Sequence, residues 1–303
     1  MAEVPARRPL SLGRQLAEQA RQYARLMRLD KPVGTWLLLW PTLWGLWLAG
    51  AGRPQPLNFL VFVAGVIVMR SAGCVINDFA DRKIDRSVAR TRDRPITAGL
   101  VAPAEALALF AVLGLLALAL LMLLNPLTQL LALGAAALTI IYPFSKRWLA
   151  APQFLLGAAF GWGIPMAFAA ETEAVPRLAW LMWLCVVVWA VIYDTMYAMA
   201  DRDDDLRIGV KSTAILFGTA DIFIIFLLQV VLVIGLVLVG RDGDLGAWYQ
   251  AGVAAGALLL AWQLWVIRRR DTASCLRAFR ANQHFGAAIF AGIVLDYTFR
   301  AVV

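Results

Sequence analysis

The chain has 303 residues, 61% of them hydrophobic and only 16% charged. Soluble domains average about 45–50% apolar and about 25% charged residues, so this balance excludes an ordinary soluble domain and points to the bilayer. The net charge of +8 does not call for a nucleic-acid partner, because Lys and Arg fall in blocks between apolar segments, as topology signals do.

The N-terminus lacks the short apolar run and small-residue cleavage site of a secretory signal. Its Arg-rich start resembles a transit peptide only weakly, since Glu3 and Glu18 interrupt it. Residues 10–30 read as an amphipathic helix lying in the membrane interface. Leu12, Leu16, Ala20, Tyr23 and Met27 recur at helical spacing, with Arg14, Arg21, Arg25 and Arg28 around them. Residues 1–32 are therefore expected to form an interfacial segment ahead of a single integral membrane domain that takes in the whole chain, 1–303.

Nine predicted transmembrane helices follow, near 33–50, 58–77, 103–123, 127–143, 151–169, 177–198, 219–239, 247–267 and 284–301. Each approaches the roughly 20 apolar residues that span a hydrocarbon core. The predicted fold is all-α, a polytopic membrane protein. Lys and Arg crowd residues 1–32, 77–102, 144–150, 199–218 and 268–283, whereas the opposite connections carry only Arg53, Arg177 and Arg241. The positive-inside rule then puts the N-terminus and the large loops in the cytoplasm.

Two acidic motifs follow the second and sixth spans. Asn77, Asp81 and Asp85 are spaced four apart, so on a helix continuing past the membrane edge they share one face. Asp194, Asp201 and Asp205 recur at seven and four, again on one face. Both motifs contain D-R-x-x-D, which suggests a duplicated four-helix unit turning two acidic loops toward each other. Carboxylates so placed repel unless a cation lies between them, and hard oxygen ligands suit Mg²⁺, which usually combines one or two carboxylates with substrate phosphates. Arg70, two turns before Asn77, is an ionisable group inside an apolar span and so a functional candidate.

Basic residues surround the motifs. Arg86, Arg90 and Arg207 read best as contacts to anionic lipid. Lys146 and Arg147 occupy a very short loop that would hold them near both acidic groups. Arg82, Arg202 and Lys211 accompany the acidic runs. His284 reads as packing or interfacial, and Cys74, Cys185 and Cys275 are too scattered for a disulfide framework or metal site. No P-loop, G-x-G-x-x-G or H-E-x-x-H is present. The rival reading from another class is a transporter of divalent cations or phosphate, which would place charges at the midplane of several helices. The charges here cluster on one side.

In Asp30-Lys31-Pro32, Leu39-Trp40-Pro41-Thr42, Met69–Asp85, Tyr142-Pro143-Phe144, Gly157–Trp162 and Tyr193–Asp205 with Lys211-Ser212-Thr213, the chain resembles the UbiA-type intramembrane aromatic prenyltransferases over nearly its whole length. The stretch Y-D-T-x-Y-A-M-x-D-R-D-D-D resembles the 4-hydroxybenzoate branch. The resemblance implies a nine-helix bundle with a cytoplasm-facing polar cavity and a lateral opening to lipid, in a cell inner membrane. Its substrates would be a polyprenyl diphosphate and 4-hydroxybenzoate, with no nucleic acid and no obligate protein partner. It further implies Mg²⁺ held by Asp81, Asp85, Asp201 and Asp205, completed by Asn77 and Asp194. Arg82 and Arg147 match basic positions of the family, and Arg70 would meet the benzoate carboxylate. Another aromatic acceptor is the alternative within the same family.

Overall fold

The computed structural model describes residues 12–87, 91–145 and 147–300, all helices and turns. Lys146 lies outside the described residues, as do residues 1–11, 88–90 and 301–303. The helices are α1 (Leu12–Leu26), α2 (Val33–Ala49), α3 (Pro56–Asp81), α4 (Pro103–Leu121), α5 (Pro126–Ser145), α6 (Gln153–Gly161), α7 (Gly163–Thr172), α8 (Arg177–Ile208), α9 (Thr213–Phe217), α10 (Asp221–Asp242), α11 (Ala247–Ile267) and α12 (Thr272–Phe299).

Among the described residues, seven segments are long and apolar enough to cross a membrane: α3, α4, α5, α6 with α7, α8, α9 with α10, and α11. Of the two other expected spans, α2 is a shorter apolar helix of 17 residues. The last, α12, starts well before the expected 284 and carries Arg277 and Arg280 in its first half.

The expected span 151–169 is broken at Trp162 into α6 and α7. The cause is Pro165, which has no N–H to return to Gly161 and whose ring crowds that carbonyl. α8 stays unbroken for 32 residues. At 1.5 Å per residue it is about 48 Å long, against a hydrocarbon core of about 30 Å. Its acidic C-terminal part therefore projects beyond the apolar layer.

α8 is also the hub. In its most apolar stretch 61% of residues are buried, against 11% in α4 and in α5, which form the outer wall. Trp189 of α8 stacks on Trp44 of α2 at 5.2 Å and donates to Asn282 Oδ1 of α12 at 2.8 Å. Trp44 Nε1 in turn donates to the Gly286 carbonyl at 3.1 Å. In lipid, where apolar burial drives little association, such hydrogen bonds and close backbone approach do much of the fastening. α11 and α12 meet through Gly252 and Gly292, where a Cβ on Gly292 would lie 3.0 Å from Gly252 Cα. At the end of the bundle where α11 begins, Asp296 accepts from the N–H groups of Gly246 and Tyr249 and so caps that helix.

Gly292→Leu should therefore cost about 1–3 kcal/mol through overpacking and lower the thermal midpoint of the detergent-solubilised protein. Gly65→Ala, where an added Cβ meets nothing within 4 Å, should leave that midpoint unchanged or raise it.

Candidate active site

Two cavities adjoin between the helices. The first, about 460 Å³, lies among α2 to α7 and is walled by apolar groups such as Val66, Met69, Leu118, Phe160 and Trp162. Gly65, Gly73 and Gly114 also line it, and a Cβ on any of them would meet nothing within 4 Å. These glycines do not bring helices together; they leave the chamber wide. The second cavity, about 380 Å³, is polar and lined by Asp81, Asp85, Asp194, Asp201 and Asp205 with Arg94, Arg147 and Lys211. Tyr142 and Pro143 line both, so the chambers meet at the C-terminal end of α5.

The second acidic face is helical throughout, with Asp194, Asp201 and Asp205 all on α8. Gly209, at φ 70°, stops that helix, and the N–H of Val210 returns to the Asp205 carbonyl at 3.1 Å. The chain then folds back under the chamber. Gln153 Oε1 accepts from the Thr213 N–H at 3.1 Å, and the Thr195 and Thr213 hydroxyls pair at 2.7 Å. Lys211 Nζ donates to the Trp148 carbonyl at 3.2 Å.

The first acidic face differs from its sequence expectation. α3 ends at Asp81, and Asp85 opens a separate 3₁₀ turn, Asp85–Ser87. The reason is tertiary. Arg94 Nη1 donates to Asp85 Oδ2 at 2.8 Å, and Thr91 Oγ1 donates to the Asp85 carbonyl at 3.1 Å, so the following loop captures the residue. Burial pushes the Asp85 carboxyl above its ordinary range; the Arg94 guanidinium opposes this, while Asp81 and Asp78 add to it. A carboxylate so placed gains from a further positive charge.

Asn77 does not line the chamber. Its amide donates to Asp81 Oδ2 at 3.2 Å and so orients that carboxylate. Arg82 is not brought to the chamber either. Its Nη1 donates to the Phe79 carbonyl at 2.6 Å, and its guanidinium sits 4.2 Å from the Phe79 ring centroid. Arg147 does line it, with Nη2 bonded to the Ala80 carbonyl at 3.2 Å. Arg70 lies in the apolar chamber, where its Nε is buried without a hydrogen-bond partner, 6.0 Å separating the guanidinium from the Phe160 ring centroid. Gly34 makes room for it, since a Cβ there would fall 2.2 Å from Arg70 Nη2.

Sequence reasoning did not find Gln153, Thr91 or Tyr197 as lining residues. A glutamine opening an apolar span was the available signal for Gln153, and Tyr197 falls between Asp194 and Asp201 at helical spacing on their face; nothing local marks Thr91. Nor did it find the role of Arg202, whose guanidinium pairs with the fully buried Asp221 at the start of α10. Arg270 holds the other Asp221 oxygen at 2.7 Å.

The donor set fits a hard divalent cation shared with a ligand. Among the described residues no three acidic, His or Cys groups converge closely enough to enclose a metal ion by themselves. Two opposed carboxylate half-sites suit Mg²⁺, which retains water and takes part of its shell from substrate phosphates.

A helical membrane bundle in which a chamber of carboxylates and cations opens on an apolar chamber defines a protein that handles an amphiphile. Residues 38–289 match the UbiA prenyltransferase family, and the chain belongs to it. Over 281 residues it is 56% identical to the 4-hydroxybenzoate octaprenyltransferase of Alkalilimnicola ehrlichii, covering 93% of this chain and 96% of that relative. The fold is similar to that of a UbiA homologue from Aeropyrum pernix, with a TM-score of 0.78 at 26% identity, covering 86% of this chain and 97% of that one. A UbiA homologue from Archaeoglobus fulgidus, solved bound to GPP and Mg²⁺, shares the fold at a TM-score of 0.68 and 19% identity, covering 90% and 99%.

Proposed function

We propose that this chain transfers a polyprenyl group from a polyprenyl diphosphate to the ring carbon of 4-hydroxybenzoate ortho to the hydroxyl, releasing diphosphate, in ubiquinone biosynthesis. The observation that carries the proposal is the junction at Tyr142 and Pro143, where a chamber fit for a diphosphate adjoins one fit for an isoprenoid tail. More than half identity to a protein named for this reaction supports the choice of acceptor.

Asp81, Asp85, Asp201 and Asp205 would hold Mg²⁺, with Asp194 at the inner edge and Asn77 steadying Asp81. Bound there, Mg²⁺ supplies the charge that stabilises departing diphosphate. Arg147 and Lys211 line the same chamber and would meet the phosphate oxygens, and Lys146, next to Arg147 in the sequence, is proposed to join them. Heterolysis of the allylic C–O bond leaves a cation that the electron-rich ring carbon attacks; transfer of the ring proton to Asp194 or to an oxygen of the released diphosphate restores aromaticity. The apolar chamber excludes the water that would quench that cation. Arg70 is the one charged group among the described residues of the apolar chamber and would fix the benzoate carboxylate beside the allylic carbon.

The bundle crosses a cell inner membrane nine times as one domain. The polar chamber faces the cytoplasm and α1 lies in the interface. The sparsely buried walls α4 and α5 let the tail continue into lipid.

Membranes given radiolabelled 4-hydroxybenzoate, a polyprenyl diphosphate and Mg²⁺ should yield labelled lipid, and Asp81→Ala or Asp201→Ala should abolish it. Absence of product from correctly inserted wild type would point first to another aromatic acceptor. Arg147→Ala should raise KM for the diphosphate by about tenfold, the loss of a charged contact worth roughly 1.5 kcal/mol, while Arg82→Ala should stay within about twofold. Gly114→Leu, filling the chamber wall, should depress transfer from long polyprenyl diphosphates far more than transfer from the short geranyl compound. Equal losses for both would mean that Gly114 does not set the width available to the tail.

A further inference from the structure

Asp78, the second residue of the first acidic motif, does not line the polar chamber. It is 1% exposed and wholly engaged by arginines. Arg28 Nη2 bonds both of its oxygens, at 2.9 and 2.8 Å, and Arg94 Nη1 lies 3.0 Å from Oδ1. The same Arg94 nitrogen is 2.8 Å from Asp85 Oδ2. A continuous chain of ion pairs thus runs from Arg28, just past the end of α1, through Asp78 and Arg94 to a chamber carboxylate.

The backbone at Arg28 adds a second, independent observation. Its φ is 58°, the left-handed region that favours glycine. The N–H of Leu29 returns to the Ala24 carbonyl at 3.0 Å, which makes Arg28 the residue that ends the amphipathic helix. Glycine would serve that turn without steric cost. An arginine there is strained, and what its side chain reaches is Asp78, with a second bond from Nη1 to the Arg25 carbonyl at 2.9 Å. Strain held in place by a specific contact marks a position where the side chain matters.

We propose that Arg28 and Asp78 are positioning residues: the end of α1 seats Asp78, Asp78 and Asp85 share Arg94, and the arrangement fixes Asp85 in the geometry that binds the metal–diphosphate unit. The first motif would then divide its labour, with Asp81 and Asp85 facing the chamber and Asp78 facing away. The proposal rests on the reading of the polar chamber as a metal–diphosphate site.

The experiment compares wild type, Arg28→Ala, Arg28→Gly, Asp78→Asn and the Arg28→Ala/Asp78→Asn double variant, purified in detergent. Mn²⁺ binding is followed by electron paramagnetic resonance with inorganic diphosphate present, and prenyl transfer is followed against Mg²⁺ concentration. Thermal midpoints serve as the folding control. Each single variant should weaken Mn²⁺ binding by about tenfold, the usual loss when a group orienting a metal ligand is removed. The Mg²⁺ concentration for half-maximal transfer should rise in step, with KM for 4-hydroxybenzoate little changed. Arg28→Gly relieves the backbone strain, so its thermal midpoint should lie above that of Arg28→Ala while it binds metal as poorly. The double variant should be no worse than either single one. Wild-type metal binding in Arg28→Gly, or fully additive losses in the double variant, would overturn the relay. If wild type binds Mn²⁺ and diphosphate but transfers no prenyl group, the functional reading fails while the relay is still decided by the binding data.

Discussion

Five carboxylates line one chamber at the end of an apolar bundle, and charge balance there constrains the rest of the architecture. Two like charges about 4 Å apart at the protein surface repel by roughly 4 kcal/mol at an effective dielectric of 20. Such a group persists only where cations meet it, and the protein supplies some of its own: Arg94 on Asp85, with Arg147 and Lys211 also lining the chamber. A metal and a diphosphate bound in the chamber would add to the charges that meet these carboxylates. Outside the chamber, Asp78 and Asp221, both buried, each take two arginines.

The placement of these charges depends on helix length. α8 outruns the hydrocarbon thickness and delivers Asp201 and Asp205 beyond it, while Asp194 stays two turns further in along the same face. α3 stops sooner, and a loop must complete its acidic face. One motif is thus rigid, carried on a packed helix, and the other is assembled from a helix end, a 3₁₀ turn and the Thr91–Arg94 segment. The assembled half needs outside support, which explains why a contact from α1 reaches it.

Much of this was legible in the sequence. Hydropathy revealed the all-helical membrane class, and the seven-and-four spacing revealed that Asp194, Asp201 and Asp205 share a face, because both follow from helical periodicity alone. Pro165 carried a readable break that span-counting passed over, since nine or ten apolar residues on each side averaged into one segment. Asp85 leaving the helix was not readable. It is decided by bonds from Thr91 and Arg94, and local spacing cannot report where a later loop will land. Arg82 lies inside the first acidic motif and Arg147 in a short loop remote from both in sequence, and each is offered there as a candidate for the site. Only the fold separates them, one folded onto Phe79 and the other on the chamber wall. Lys146 and Arg147 were grouped by loop length, and for Arg147 that inference matches its position.

The two chambers also differ in what a substitution can do to them. The polar one is set by charge and hydrogen bonding, so a single lost contact changes affinity at a defined atom. The apolar one is set by volume, and its unusual feature is glycine on α3 and α4 with nothing opposite. Glycine inside a helix costs roughly 0.5–1 kcal/mol relative to alanine, and between membrane helices it normally repays that through close packing, as Gly252 and Gly292 do. Gly65, Gly73 and Gly114 gain no such packing. Their cost is offset only if the space they leave is filled by something that is not protein. An isoprenoid chain, thin and flexible, fits a channel defined by missing side chains better than a planar acceptor does. Tyr142 marks where that chamber meets the polar one, with Arg70 on the apolar side and the carboxylates on the other.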